Sequence, residues 1–565
     1  MLNGINEKLL AKVLSVGAAF ITIFIVSGSV TDPVNTPKFV ALGVIGTAAL
    51  AIFASSKPIA LLKSHQILML VIFAFLISML NAIFSSDSPL SQNVYGSYGR
   101  NNGFLTYLFL CFILISSLSF RSLQSFSLLV KSLLTAGAVN IIYCFWVIVF
   151  GDFIGWSNPY GNILGTLGNP NFIGSFLGIF FSAALAYGIG PNATKRYKLS
   201  LFIVLPLTGF EIIKSHAIQG LVVAALGCGI VGFMYIRSRF SVAMSAGYFS
   251  VLALFGTTAA LGALQMGPLA EVIYKTSVSL RGQYWLAAWN TGSAKPFTGV
   301  GMDAFGDWYR RARDAHALEL PGVNTTVNAA HNVPLDMFAF GGWPLFVSYL
   351  LITFIGATAA FRYLLRTRTY DPIFVALATA WVGYQIQSII SINQIGLAVW
   401  GWLLTGALIS YEFITRKSGE DQLNQNKIMF QKNRTRENQS TATLFGALGA
   451  ILGLLIALPP LTADAKWRSA QLARTEIAIT ESMQQSLFNP GNSMKYANNI
   501  ISLNQAQFLE QAHKYSLEAV KWNPESFELW RINYFMTNST EAEKQIALRN
   551  MKRLDPQNPN VIAAP

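Results

Sequence analysis

The sequence predicts an all-α, polytopic membrane protein. It should have about 13 transmembrane helices, a long extracytoplasmic loop and a C-terminal helical-repeat region. Three observations carry that prediction. Hydrophobic residues make up 53% of the 565 residues and charged residues only 12%, where soluble domains carry about 25% charged; the mean hydropathy is +0.45. Apolar stretches of about 17–25 residues recur along the chain. Basic residues collect in the short segments between them. These features exclude an ordinary soluble enzyme and a disordered, collagenous or coiled-coil chain. No alternating ten-residue strands suggest a barrel.

The expected spans lie near 11–28, 39–54, 66–84, 103–120, 127–150, 171–190, 199–213, 217–235, 242–263, 334–359, 372–390, 394–412 and 442–460. The first apolar run follows Lys8 and Lys12 and has no clear small-residue cleavage site, so it reads as a retained helix. The span at 199–213 is short and ends in Glu211 and Lys214, which suggests a broken or tilted helix. With the N-terminus in the cytoplasm, the inside loops hold Lys57, Lys63, Arg121, Lys195, Arg196, Lys198, Arg237, Arg239, Arg362, Arg366 and Arg368. The longest inside loop adds Arg416, Lys417, Lys427, Lys432, Arg434 and Arg436. The short outside loops hold only Lys38, Arg100 and Lys214. This asymmetry sets the orientation and accounts for the net charge of +14. No aromatic-basic patch accompanies it, so no nucleic-acid partner is expected. An odd number of spans places the C-terminal region outside; one span fewer would place it inside. Cys111, Cys144 and Cys228 fall in apolar spans and offer neither a disulfide framework nor metal-ligand spacing.

Residues 1–462 read as the membrane domain and 463–565 as a second, helical region. Within the first, the loop at about 264–333 contains Arg281, Arg310, Arg311, Arg313, His316 and His331. A loop this long is uncommon unless it works or is disordered, and its Trp, Tyr and Arg content points to a folded lid or site. In the second, Asn523-Pro524 and Asp555-Pro556 lie 32 residues apart, each after a helical stretch ending in a basic residue. This resembles tetratricopeptide repeats, about two of them; a plain helical hairpin bundle is the alternative. Two repeats alone are marginal, so they should pack on the membrane domain or on a protein partner.

Phosphate-loop and HExxH motifs are absent, and the outer segments hold no Asp-x-Asp pair. The candidate chemistry is therefore arginine, histidine and amide. Arg100 lies in a glycine-rich turn, Gly99-Arg100-Asn101-Asn102-Gly103. It suits bidentate phosphate recognition or simply snorkels to headgroups. In Gly168-Asn169-Pro170-Asn171-Phe172, Asn169-Pro170 is a turn signal and Asn171 can cap a helix whose N-terminus favours an anion. Lys214 and His216 sit between two spans at membrane depth, as functional groups or as a wet helix end. Arg281 and Trp285, four apart, share a helix face. Gly299-Val300-Gly301 follows Pro296, with no preceding strand to support a dinucleotide site. His331, beside Asn332 at the start of a span, is a general-base candidate or an interfacial hydrogen-bonding residue.

In this order, these segments resemble the O-antigen ligase/polymerase superfamily of bacterial envelope glycosyltransferases. The likeness rests on the turn at 99–103, the segment 168–172, Arg281 with Trp285, Pro296 to Phe305, and His331-Asn332, and it covers about residues 10–415. It implies transfer of a glycan from an undecaprenyl-diphosphate carrier at the outer face of the inner membrane, without metal or cofactor. The acceptor would be lipid A-core, another carrier-linked glycan or a protein hydroxyl. Arg281 would bind the diphosphate and His331 would activate the acceptor. Arg100, Lys214, His216, Asn169, Asn171, Trp285 and Asn332 would contact substrate, and membrane lipid would surround the body. One departure stands out: many relatives carry an Arg in a Ser-Arg-Gly-like segment where this chain reads Lys214-Ser215-His216-Ala217-Ile218-Gln219-Gly220. Lys214, His216 or Arg100 would supply the second cation. Ligase is the favoured activity, with polymerase or protein O-oligosaccharyltransferase next. A lipid-linked sugar transporter, which would need internal repeats and midplane charges, and a scaffold follow.

Overall fold

The computed structural model describes residues 4–191, 193–268, 270–274, 276–417, 435–483 and 493–563. The described residues form helices joined by turns, with no strand among them. Ten of these helices are long and apolar enough to cross a membrane, and each matches an expected span. Those at Gln66–Phe84, Val242–Ala263 and Pro372–Ile390 end where the sequence places them. The other three expected spans are helical as well but fall outside that set. Gly4–Ile23 and Lys195–Lys214 carry several charges, and Phe104–Ser117 has only 14 residues. Lys195–Lys214 runs unbroken through Pro206, with Glu211 buried and Lys214 exposed. Lys427, Lys432 and Arg434 of the longest basic loop lie outside the described residues.

Ile395–Lys417 is the central helix, packed on Gly4–Ile23, Phe104–Ser117, Val333–Arg366 and Pro372–Ile390. Trp400, fully buried, donates its indole N–H to Thr22 Oγ1 at 2.8 Å, so its polar atom is satisfied inside apolar surroundings. Val242–Ala263 is the opposite case: only Ser245 and Gly262 are buried, the pattern of a helix that faces lipid. Thr435–Ala473 packs along Asn35–Ser55 at close range. Gly449 and Gly453 lie against Thr47 and Gly43, and Thr47 Oγ1 donates to the Gly449 carbonyl at 2.7 Å. Small residues permit this approach between membrane helices. The helix continues to Ala473, so the boundary at 462 falls within it.

Lys38, expected in an outside loop, is instead buried inside Asn35–Ser55. The Asp32 carboxylate accepts from the N–H groups of Val34, Asn35 and Thr36, each at 3.0 Å, and starts the helix early. Lys38 Nζ then donates to the carbonyls of Ile21, Thr22 and Phe24, satisfying the end of the first helix.

Helix ends sort into two faces. On one, Glu7 accepts from the N–H groups of Arg121 and Ser122, Arg237 donates to the Thr367 carbonyl, and Arg366 pairs with Glu412. On the other, Asn35 reaches the Gly99 carbonyl, Asn102 reaches Asn393, and Asp464 accepts from Thr31 and Asp32. The basic loops sit on the first face; the 264–333 loop and the C-terminal helices sit on the second. Those C-terminal helices, Ser493–Gln505, Leu509–Trp522, Phe527–Phe535, Glu541–Leu554 and Pro559–Ile562, pack as successive neighbours. A capping box of Thr540 and Glu543 starts the fourth.

Candidate active site

The span expected at 334–359 is a helix over Val333–Arg366 that breaks at Gly341-Gly342, where φ is −139° and +64°. The break frees backbone carbonyls at membrane depth, where unpaired polar groups are costly. The glycine-rich turn satisfies them: Val300 N–H donates to Ala339 O and Gly301 N–H to Phe340 O, both at 3.0 Å, and Trp343 N–H donates back to Pro296 O at 2.7 Å. Gly299, at φ +60°, lies so close that a Cβ would fall 2.2 Å from the Phe340 carbonyl carbon. The Gly299-Val300-Gly301 signal thus marks a plug for a broken helix.

That plug positions Asp303. Its carboxylate accepts from the N–H groups of Ser97 at 2.7 Å and Asn102 at 3.1 Å. The turn carrying Arg100 is thereby tied to the outer loop. Arg100 Nε donates to Asn328 Oδ1 at 3.2 Å. Burial lowers the Arg100 pKa, opposed by the negative charge of Asp303. Burial pushes the Asp303 carboxyl up to about 6, against the Ser97 and Asn102 hydrogen bonds and Arg100.

His331 stands immediately before the first half of the broken helix, at φ +56°. Asn332 caps that helix, accepting from Leu335 N–H at 3.0 Å, and Asp336 Oδ1 accepts from Ala330 N–H at 2.7 Å. Arg281 arrives on the helix Thr276–Ala294, whose Ala287, Ala288, Thr291 and Gly292 are buried. Trp289 of that helix packs tilted against Phe338, at 5.1 Å between centroids. One turn away from this contact, the Tyr284 ring lies 5.4 Å from the His331 ring. Burial, then the positive charges of Arg100 and Arg281, push the His331 pKa down to about 3. The imidazole is therefore neutral at pH 7, in the positive field of the two guanidiniums. Arg281 Nε is itself buried with no hydrogen-bond partner among the described residues.

Arg281, Arg100 and His331 are thus brought together. Asn169 reaches the same neighbourhood indirectly: it caps Pro170–Ile189 through Asn171 N–H and donates to Tyr160 Oη at 3.0 Å, and Tyr160 acts on the charge of Arg100. Asn171, expected to cap this helix, instead lies in its first turn, and its carbonyl accepts from Gln219. Lys214 and His216 are exposed; Lys214 sits over the ring of Phe210 on its own helix. Among the described residues no hydrogen bond or charge contact ties either to Arg281 or His331. The helices that flank them, Lys195–Lys214 and Ile218–Arg239, pack on Pro170–Ile189 instead. Of the cations considered, Arg100 is the one brought to His331. Trp285 makes no ring contact among the described residues, and the aromatic beside His331 is Tyr284. Asp303, Asp336, Tyr284 and Asn328 were not singled out from the sequence. Asp336 carried a readable signal, a carboxylate inside an otherwise apolar span.

The shifted His331 pKa sets a pH dependence of stability. Between about 3 and 6.5 the unfolded chain binds a proton at this residue that the fold refuses, so stability falls as pH drops through that window. Asp303, raised from 3.8 to about 6, has the opposite sign over that lower range, the fold holding the extra proton. His331→Gln removes only the first contribution. Its melting temperature relative to wild type should therefore rise between pH 7 and pH 4. A difference that stays flat would mean the ring titrates in the fold as it does in water.

A family model described as O-antigen ligase matches residues 201–350. The matched stretch contains Lys214, His216, Arg281, Trp285, the glycine turn, His331 and Asn332; Arg100, Asn169 and Asn171 lie outside it. No curated protein matches the chain. Residues 201–350, within the membrane-embedded body, are thus similar to the O-antigen ligase family.

Proposed function

We propose that the protein is an O-antigen ligase-like glycosyltransferase. It moves a glycan from an undecaprenyl-diphosphate carrier to a hydroxyl of lipid A-core at the outer face of the bacterial inner membrane. The observation that carries this reading is the neutral His331 imidazole, held against the Tyr284 ring in the positive field of Arg100 and Arg281. A nucleophilic hydroxyl needs a base, and a diphosphate leaving group needs fixed positive charge. His331 takes the acceptor proton as the acceptor oxygen bonds to the anomeric carbon. The bond from that carbon to the phosphate oxygen breaks, and its electron pair leaves with the diphosphate, held by Arg281 and Arg100. The imidazolium then returns its proton to water. The anionic donor offsets the two cations, which raises the His331 pKa toward the range a general base needs. Arg281 and Arg100 supply the positive charge. The excess of basic residues on the opposite face supports a cytoplasmic placement for that face.

The test uses purified full-length protein in detergent, an undecaprenyl-diphosphate-linked glycan and EDTA. Separate arms offer lipid A-core, a second carrier-linked glycan and a Ser/Thr-bearing protein. Release of undecaprenyl diphosphate with lipid A-core, undiminished by EDTA, is the expected result. Release only with one of the other acceptors would make the protein a polymerase or a protein O-oligosaccharyltransferase. Silence in every arm, with the donor crossing a vesicle bilayer, would make it a transporter.

A further inference from the structure

Three arginines of the outer loop point away from the site and into the C-terminal helices. Arg310 and Arg313 both grip Asp555, at 2.9 and 2.8 Å. Asp555 and Arg313 have no side-chain exposure and Arg310 has 8%. The same guanidiniums also donate to the Val323 carbonyl, at 3.2 Å from Arg310 and 3.0 Å from Arg313. Arg311 pairs with Glu525, which also holds Arg553 at 2.9 Å. Asn523 Nδ2 donates to Asp307 Oδ2 at 3.2 Å. Asn523, Glu525 and Asp555 all belong to the two Pro-containing turns that lie 32 residues apart in the sequence. A buried ionic cluster adds little net stability but enforces one geometry, because any displaced charge is left unpaired.

We infer that the C-terminal helical region is a clamp that positions the reacting groups, with Asp555 and Asn523 as positioning residues. What they hold is the helix Phe305–Ala312, and two lines of contact lead from it to the site. Along the first, Tyr309 on this helix meets the Tyr284 ring edge-on at 6.1 Å, and Tyr284 faces His331. Along the second, Asp307 accepts from Gln92, which also donates to the Asp303 carbonyl, and Asp303 holds the turn that presents Arg100. Both the base and a diphosphate-binding cation therefore stand where the clamp puts them. The inference rests on the reading of His331, Arg281 and Arg100 as the reacting site.

The test is Asp555→Asn in the full-length protein, read by hydrogen exchange and by donor turnover. Release of the clamp should lower exchange protection at 305–312 and also at 97–102 and around Tyr284. With a site displaced by a fraction of an ångström to about 1 Å, kcat should fall about ten- to hundredfold while the donor KM stays within about twofold. Introduced into Tyr284→Ala, the same change should cost less, by the share the first line carries, because only the second line remains to be cut. Lost protection confined to the C-terminal helices and 305–325 would overturn the inference. So would an unchanged kcat, or full additivity with Tyr284→Ala. If Asp555→Asn does not purify as a folded protein, Glu525→Gln at the less buried pair carries the same readouts. A wild type that turns over no donor would refute the site reading instead, and the exchange pattern would still judge the clamp.

Discussion

His331→Ala is expected to lower kcat about 10²- to 10⁴-fold, the contribution of a positioned general base, in a protein that still folds. The side chain makes no hydrogen bond among the described residues; its neighbours are the Tyr284 ring and the two arginines. Its backbone is left-handed at φ +56°, a conformation that Asn tolerates better than Ala. His331→Asn therefore serves as the matched variant, keeping the turn while removing the base. Both variants should bind donor, because Arg100 and Arg281 remain, and both should fail to release undecaprenyl diphosphate at the wild-type rate. Turnover by His331→Asn within about tenfold of wild type would leave the imidazole no role as base and return the assignment to a hydrogen-bonding residue.

Gly299→Ala should be strongly destabilising. The added carbon would lie 2.2 Å from the Phe340 carbonyl carbon and 2.3 Å from Gly341 N, both backbone atoms that cannot swing aside, and φ is +60°. Left-handed strain together with overpacking should cost on the order of 3–5 kcal/mol. The plug would then leave the broken helix, and the carbonyls of Ala339 and Phe340 would lose their donors. Gly247→Ala is the control: nothing lies within 4 Å of the site of its methyl, and a helix-interior Ala is favoured over Gly by about 1 kcal/mol. Melting curves of the two proteins in one detergent check the contrast. Equal stability would mean that the 296–301 turn does not enter the break.

Much of this architecture is legible in the sequence because it is local. An apolar run of sufficient length can satisfy its own backbone only as a helix. A cap is legible at the start of the helix Pro170–Ile189, though Asn169 and not Asn171 supplies it. The charge asymmetry likewise sorts the loops into the two faces that the helices then build. Legibility fails where a residue's role depends on a distant partner. Lys38 reads as a loop cation and is a buried helix cap, because three carbonyls at the end of the preceding helix need a donor. The Val333–Arg366 helix reads as continuous, and its break is tolerable only because a turn some forty residues upstream supplies the missing hydrogen bonds.

The site divides in the same way. Arg281, Arg100 and His331 are each readable as candidates in the outer segments, the arginines as phosphate-binding cations and the histidine as a base, while the membrane-depth argument singles out Lys214 and His216. Composition also sufficed to say that the chain is a helical membrane protein. What the tertiary structure alone decided is which of these groups meet. Arg100 and not Lys214 stands at His331, Tyr284 and not Trp285 faces it, and Arg310, Arg311 and Arg313 serve the C-terminal helices. The physical reason is that charge and ring contacts act through space over a few ångströms, whereas the residues that make them lie hundreds of positions apart. Only the packing of helices brings those positions together.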